Sequence, residues 1–84
     1  MNRDLVSFHL NEANEELQRT VAEVSRDPEY GEAELLTAMR HVYHHVNTAW
    51  NARDATFAEA EPGTDEQFNR WGQFPIDLPL VELE

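Results

Sequence analysis

The charge of this chain changes abruptly along its length. Residues 35–58 hold one acid, Asp54, against Arg40 and Arg53, whereas residues 1–34 and 59–84 each carry a net charge of −6. The nearly neutral middle segment also contains three of the four histidines. Because charged side chains are rarely buried and apolar ones commonly are, the pattern predicts a central helix wrapped by the rest of the chain.

The length of 84 residues indicates one small domain over residues 1–84. Such a chain buries only roughly 60–65% of the surface that its unfolded form exposes, and a metal or a partner chain often adds stability at this size. Disulfides and thiolate metal sites are excluded because there is no cysteine. No signal peptide and no apolar run of about 20 residues is visible, so we expect a cytoplasmic protein that does not enter a membrane.

The net charge of −11 bears on possible partners. It repels the phosphates of nucleic acids and of anionic membranes, so we expect no direct contact with either. An acidic nucleic-acid mimic that binds a basic protein is a weaker alternative.

A first helix is predicted over residues ~4–25, with Asn2 or Asp4 as its N-terminal cap. Apolar residues recur there at spacings of three and four, which places them on one face. They are Val6, Leu10, Ala13, Leu17, Val21 and Val24. Pro28 and Gly31 then interrupt the pattern over residues 26–31, and so short a turn predicts an antiparallel helical hairpin.

A long second helix is predicted over residues ~32–60, unless it breaks near residues 51–54. It carries two adjacent apolar series, one made of Leu35, Met39, Val42, Val46, Ala49 and Phe57, the other of Leu36, Tyr43 and Trp50. Together they form a stripe that is wider than one antiparallel neighbour can cover. We therefore expect a homodimer with a four-helix core, in which the helical hairpins of two copies pack together. Another protein is a further candidate partner.

A short third helix is predicted over residues ~65–71, with Thr64 or Asp65 at its start and Gly72 just past its end. The tail, residues 73–84, contains two prolines and alternates apolar with polar residues, so it is predicted to be extended and packed. Aromatic residues at helical spacing usually belong to a core. This is expected of Tyr43, Trp50, Phe57, Phe68 and Trp71. The predicted fold class is all-α.

His41, His44 and His45 form the one cluster with the chemistry of a metal or acid–base site. His41 and His45 are one helical turn apart, and a tight hairpin places Glu16 opposite His41 and Glu12 opposite His45. These four residues are a candidate site for zinc, manganese or iron. The alternative is that they are ordinary interhelical ion pairs or hydrogen bonds, and that no cofactor is bound.

The opposite edge of the second helix is polar but almost uncharged. It consists of Thr37, Arg40, His44, Asn47, Thr48 and Asn51. Asparagine and threonine are poor helix formers, so propensity does not explain them. The edge has three interpretations. It is an unspecialised polar face, or a contact face for the acidic tail or a dimer partner, in which Arg40 and His44 receive Asp77 or Glu82. The third is a recognition face for an external ligand or protein.

No catalytic residue is predicted. Ser7 and Ser25 lack a supporting histidine–carboxylate arrangement, and the three glycines do not form a phosphate-binding loop. The sequence favours a non-enzymatic interaction or assembly module that acts as a homodimer, and a metal-binding helical bundle is the alternative. The candidate interaction residues are Arg40, His44, Asn47, Asn51, Leu36, Tyr43 and Trp50.

Overall fold

A computed structural model describes residues 1–60, 63–75 and 77. It contains four helices: α1 (Arg3–Arg26), α2 (Glu32–Asn51), α3 (Phe57–Ala60) and α4 (Asp65–Trp71). No strand occurs in these residues, so the all-α prediction is confirmed. The predicted tail lies largely outside the described residues, since only residues 73–75 and 77 of it are included.

The long first helix packs along the second. Asn2 caps α1 as predicted, because its side-chain oxygen accepts a hydrogen bond from the backbone N–H of Leu5 at 3.1 Å. At one end of the pair, the Asn2 side chain also donates to the carbonyl of Ala55. Farther along, Glu16 lies 3.7 Å from His41. The position numbers of each contacting pair add to about 57, so α2 runs back along α1.

The second helix does not run continuously over residues 32–60; it breaks near residues 51–54, which is one of the two possibilities that the sequence left open. Helix α2 ends at Asn51, and the chain turns before α3 begins at Phe57. The turn is fixed from outside, because the backbone N–H of Asn2 donates to the Arg53 carbonyl at 2.6 Å. It is also fixed from within: the Thr56 hydroxyl accepts from the Glu59 N–H at 3.1 Å, and so caps α3.

Helix α4 has the bounds predicted from its caps. Thr64 accepts from the backbone N–H of Gln67, and the Gln67 side chain accepts in return from the N–H of Thr64. Gly72 ends the helix with a φ of −79°, so no left-handed conformation requires it. Close packing requires a glycine here, because a Cβ at this position would lie 2.8 Å from His44 Nδ1 and from the Phe68 carbonyl oxygen.

The core of the described residues is small. Its buried apolar side chains are Leu5, Ala13, Ala38, Val42, Ala49 and Ala52, of which four are alanines. The expectation that the aromatic residues form the core is wrong for Tyr43, Phe57 and Phe68, each more than half exposed. The radius of gyration is 14.6 Å, above the ~12 Å of a compact domain of this length. Much of the apolar surface of the chain therefore remains outside this core.

Candidate functional site

Most of the apolar residues of α1 do not face α2. The side of α1 that contacts α2 carries Leu5, His9, Ala13, Glu16 and Thr20, with Leu5, Ala13 and Thr20 buried. Leu10, Leu17, Val21 and Val24 lie about a quarter-turn away, because each residue advances ~100° around the helix. They are exposed, Leu17 at 42% and Val21 at 66%.

The same offset occurs on α2. Leu35, Met39 and Val46 lie about a quarter-turn from the side of α2 that contacts α1, where Ala38 and Ala49 are buried. In antiparallel helices with equal offsets, both rows lie on one side of the pair. The register of the contacts puts Leu10 level with Val46, Leu17 with Met39, and Val21 with Leu35. We call these six residues, with Val24, the apolar face.

Next to the apolar face, α2 exposes two of the predicted interaction residues. Leu36 and Tyr43 are 52% and 62% exposed and lie on the outer edge of α2. Trp50, the third member of that series, is half-buried and donates from Nε1 to Asp77 at 2.9 Å, while the Arg53 guanidinium lies 4.0 Å above its ring. Trp50 is therefore already engaged within the chain.

The polar edge of α2 faces α4. Asn47 donates to the carbonyl of Gly72 at 3.0 Å, and Asn51 donates to the carbonyls of Trp71 and Gln73, both at 2.7 Å. These carbonyls lie at and just after the C-terminal end of α4, where backbone acceptors have no partner within the helix. The two asparagines therefore attach α4 to α2, an internal contact that differs from the one with the acidic tail considered for this edge.

No hydrogen bond or ion pair joins Arg40 or His44 to Asp77, which was one of two acids considered for them under one interpretation of this edge. Asp77 accepts from Trp50 and lies 3.5 Å from the Arg53 guanidinium; the Trp50 hydrogen bond is the main cause that holds the pKa of this carboxyl below its usual range. Glu82, the other predicted acid, lies outside the described residues. His44 instead stacks on Phe68, with 4.0 Å between ring centroids. Burial, followed by the nearby His45 and His41, lowers the pKa of His44.

The predicted metal ligands are brought together only in part. His41 Nδ1 lies 3.7 Å from Glu16, as the hairpin register predicts, but Glu16 also accepts from Arg19 at 2.6 Å. His45 and Glu12 line one shallow cleft with them. Within residues 1–60, 63–75 and 77, no group of three or more His, Asp or Glu side chains is arranged to hold a metal ion. The zinc, manganese or iron site stays a prediction.

His45 has a partner that the sequence did not indicate. The Nδ1 atoms of His9 and His45 are 3.0 Å apart, so one ring donates to the other when both are neutral. Burial is the largest cause that lowers the pKa of His9 to about 4, followed by His45 and His44, against a raising effect of Glu12. His9 was missed because the register of this pair is three positions from the assumed one.

Comparison with other proteins adds no relative to these observations. No protein-family model, no curated protein and no solved structure matches the chain. Among the described helices, none combines the length and the apolar character needed to cross a bilayer.

Proposed function

We propose that this chain is a small acidic, non-enzymatic interaction module that assembles as a homodimer through the apolar face. The observation that carries the proposal is that aliphatic side chains of both long helices are exposed on one side of the pair. The opposite side of α2 is engaged by α4, through Asn47 and Asn51. The apolar face has no corresponding cover within the described residues.

The size of the apolar face fits self-association. Its span from Leu10 to Val24 is about 21 Å, and two helices side by side are roughly 20 Å wide, which gives roughly 400 Å². Exposed apolar patches of this size often mark interaction sites. A stable interface buries about 800 Å² on each partner, so a dimer would also use flanking side chains. Leu36, on the outer edge of α2 next to the apolar face, is placed to supply one of them.

A second copy is the favoured occupant because the face is self-complementary. It combines one row from each of two antiparallel helices, so a twofold axis through its centre brings α1 of one copy onto α2 of the other. The product is a four-helix core with large aliphatic side chains at its centre. In the single chain, by contrast, most of the buried apolar side chains are alanines. Complete burial of a leucine or valine contributes about 1.5–3 kcal/mol, and those of the apolar face, 40–66% exposed in the single chain, gain the share that corresponds to their exposed area.

The test is the mass in solution of two matched variants, measured by light scattering after gel filtration. Leu17→Glu places a charge in the centre of the apolar face. Phe8→Glu places the same charge at another exposed position of α1, about half a turn away from Leu17. We expect Leu17→Glu to be a folded monomer and Phe8→Glu to remain a dimer. Equal masses for the two variants and the unmodified chain would contradict the proposal.

The metal-binding bundle is the second candidate, and the observation in its favour is the His9–His45 pair. Two imidazole nitrogens 3.0 Å apart on neighbouring helices are near the separation at which both bind one zinc ion. Native mass spectrometry with added Zn²⁺ tests it. A stoichiometric zinc adduct that His45→Ala abolishes and His41→Ala retains would favour this candidate. Equal loss of thermal stability in His45→Ala, with and without chelator, would contradict it.

A further inference from the structure

A cleft lies between α2 and α4, on the outer side of α2 and away from the apolar face. Its volume is about 730 Å³, which is within the range of small-molecule sites. Arg40, Tyr43 and His44 line it from α2, and Phe68, Asn69 and Gln73 line it from α4 and the residues after it. It does not belong to the proposed dimer interface.

The cleft is free of acids in a strongly acidic chain. The sequence has 17 acidic residues, yet none of the described residues that line the cleft is one of them. Arg40 is exposed there and makes no ion pair with any described residue. Glu16 contacts His41, which also lines the cleft, and pairs with Arg19 as well. A guanidinium that pairs with none of the described acids is available to an anion from outside.

The walls of the cleft are aromatic. His44 and Phe68 are stacked face to face, with 4.0 Å between ring centroids and an angle of 21° between their planes, so each ring keeps one outer face that the other does not cover. Phe68 and Tyr43 are both more than half exposed. Burial, followed by the nearby His45 and His41, lowers the pKa of His44 and so favours the uncharged form of this ring. Flat aromatic surfaces favour a planar ring, in stacked or edge-on contact.

We propose that this cleft binds a small aromatic carboxylate. The carboxylate pairs with the guanidinium of Arg40 through two parallel hydrogen bonds, which is the geometry that arginine favours. The ring lies against Phe68 and Tyr43. A single negative charge fits better than a phosphate, because one arginine offsets one charge and the net charge of −11 disfavours a second.

The test is a titration of the full-length, ¹⁵N-labelled protein with 2-naphthylacetate, followed by NMR. The uncharged 2-naphthylacetamide is titrated in parallel. We expect the acid to give saturating shifts at the amides of Arg40, Phe68 and Gly72, and the amide probe to bind about tenfold more weakly. Arg40→Gln should weaken binding of the acid about tenfold. Arg70→Gln removes an equal charge from α4 outside the cleft and should leave binding unchanged.

Three results would overturn the proposal. One is equal affinity for the acid and its amide, and another is equal weakening by Arg40→Gln and Arg70→Gln. The third is a set of shifts centred on Leu17 and Val46, which would mean that the probe binds the apolar face. The titration is repeated on Leu17→Glu, so that ligand binding is judged separately from dimer formation. Binding to Leu17→Glu with the expected shifts supports the cleft even if the unmodified chain is a monomer.

Discussion

The two sides of α2 differ in how their side chains are satisfied. On the side towards α4, Asn47 and Asn51 donate hydrogen bonds to three backbone carbonyls of the same chain. On the other side, Leu35 and Val46 are 40% and 43% exposed, beside the exposed row of α1. On the first side, polar side chains form hydrogen bonds within the chain. On the second side, large aliphatic side chains are left exposed by the described residues. This difference is the basis of the proposal that a second copy of the chain binds the second side.

The largest expected effect comes from a substitution that disrupts the packing of α4 against α2. Gly72→Ala places a Cβ 2.8 Å from the His44 ring and from the Phe68 carbonyl, neither of which is a flexible side-chain end. We expect a loss of about 1–3 kcal/mol in the free energy of unfolding, from overpacking. Gly31→Ala is the matched control, since its nearest neighbour is the Glu34 carboxylate at 3.4 Å. Chemical denaturation measures both, and similar losses would contradict the packing role of Gly72.

The pH dependence of stability tests the contact between His9 and His45. His9 has its pKa lowered to about 4 in the folded protein, against 6.5 ordinarily. The stability that it contributes is therefore full above about pH 6.5 and is lost as the pH falls towards 4. Lowering the pH from about 7 to about 4.5 should reduce the melting temperature of the unmodified chain more than that of His9→Gln.

Two further features make this pH experiment specific. His44 also has a lowered pKa and changes stability in the same direction, so His9→Gln removes only part of the effect. His41→Gln is the control, because His41 is exposed and its ion-pair partner among the described residues is Glu16. A pH response of His9→Gln equal to that of the unmodified chain would show that the His9–His45 contact does not respond to acid.

The salt dependence of association tests whether the apolar face pairs through its aliphatic side chains. Each copy carries a net charge of −11, so two copies repel each other, and about 0.1 M salt screens charges more than ~10 Å apart. An interface formed by aliphatic side chains should therefore tighten as NaCl is raised, with a severalfold lower dissociation constant in sedimentation experiments. Weaker association at high salt would indicate an interface held by ion pairs.

The smallest expected effect concerns the edge of the apolar face. Leu36 lies on the outer edge of α2, about a quarter-turn from the centre of the face, whereas Val46 lies within it. We expect Leu36→Glu to weaken the dimer about tenfold or less and Val46→Glu to abolish it over the same concentration range. The dissociation constants of the two variants give the boundary of the interface. An equal loss in both would extend the interface over Tyr43.

Local signals in the sequence accounted for the helix ends but not for contacts between distant residues. Asn2 and Thr64 cap α1 and α4 as expected, because capping depends on a few neighbouring residues. The end of α2 at Asn51 depends instead on Asn2, which binds the carbonyls of Arg53 and Ala55 from the far end of the chain. A local signal did exist, in the Thr56–Glu59 capping pair.

The candidate site shows the same difference between local features, which the sequence indicates, and contacts between distant segments, which it does not. The unusual asparagines on the polar edge were visible in the sequence, since the composition of an edge is a property of one helix, but their partners on α4 were not. His9 was missed, and the contacts of Asp77 with Trp50 and Arg53 were not foreseen, because both depend on the register and path of separate segments. The exposure of Leu10 and Val24 was also missed. Periodicity identifies an apolar row but not the angle at which the neighbouring helix contacts it.

The most direct test of the central claim is sedimentation equilibrium of the unmodified chain over a wide range of concentrations. The chain mass is 9.7 kDa. We predict a species of about 19 kDa at micromolar concentrations and dissociation on dilution, as expected for an interface of ordinary size. A mass of 9.7 kDa at every concentration, including the millimolar range, would show that the apolar face does not pair with a second copy.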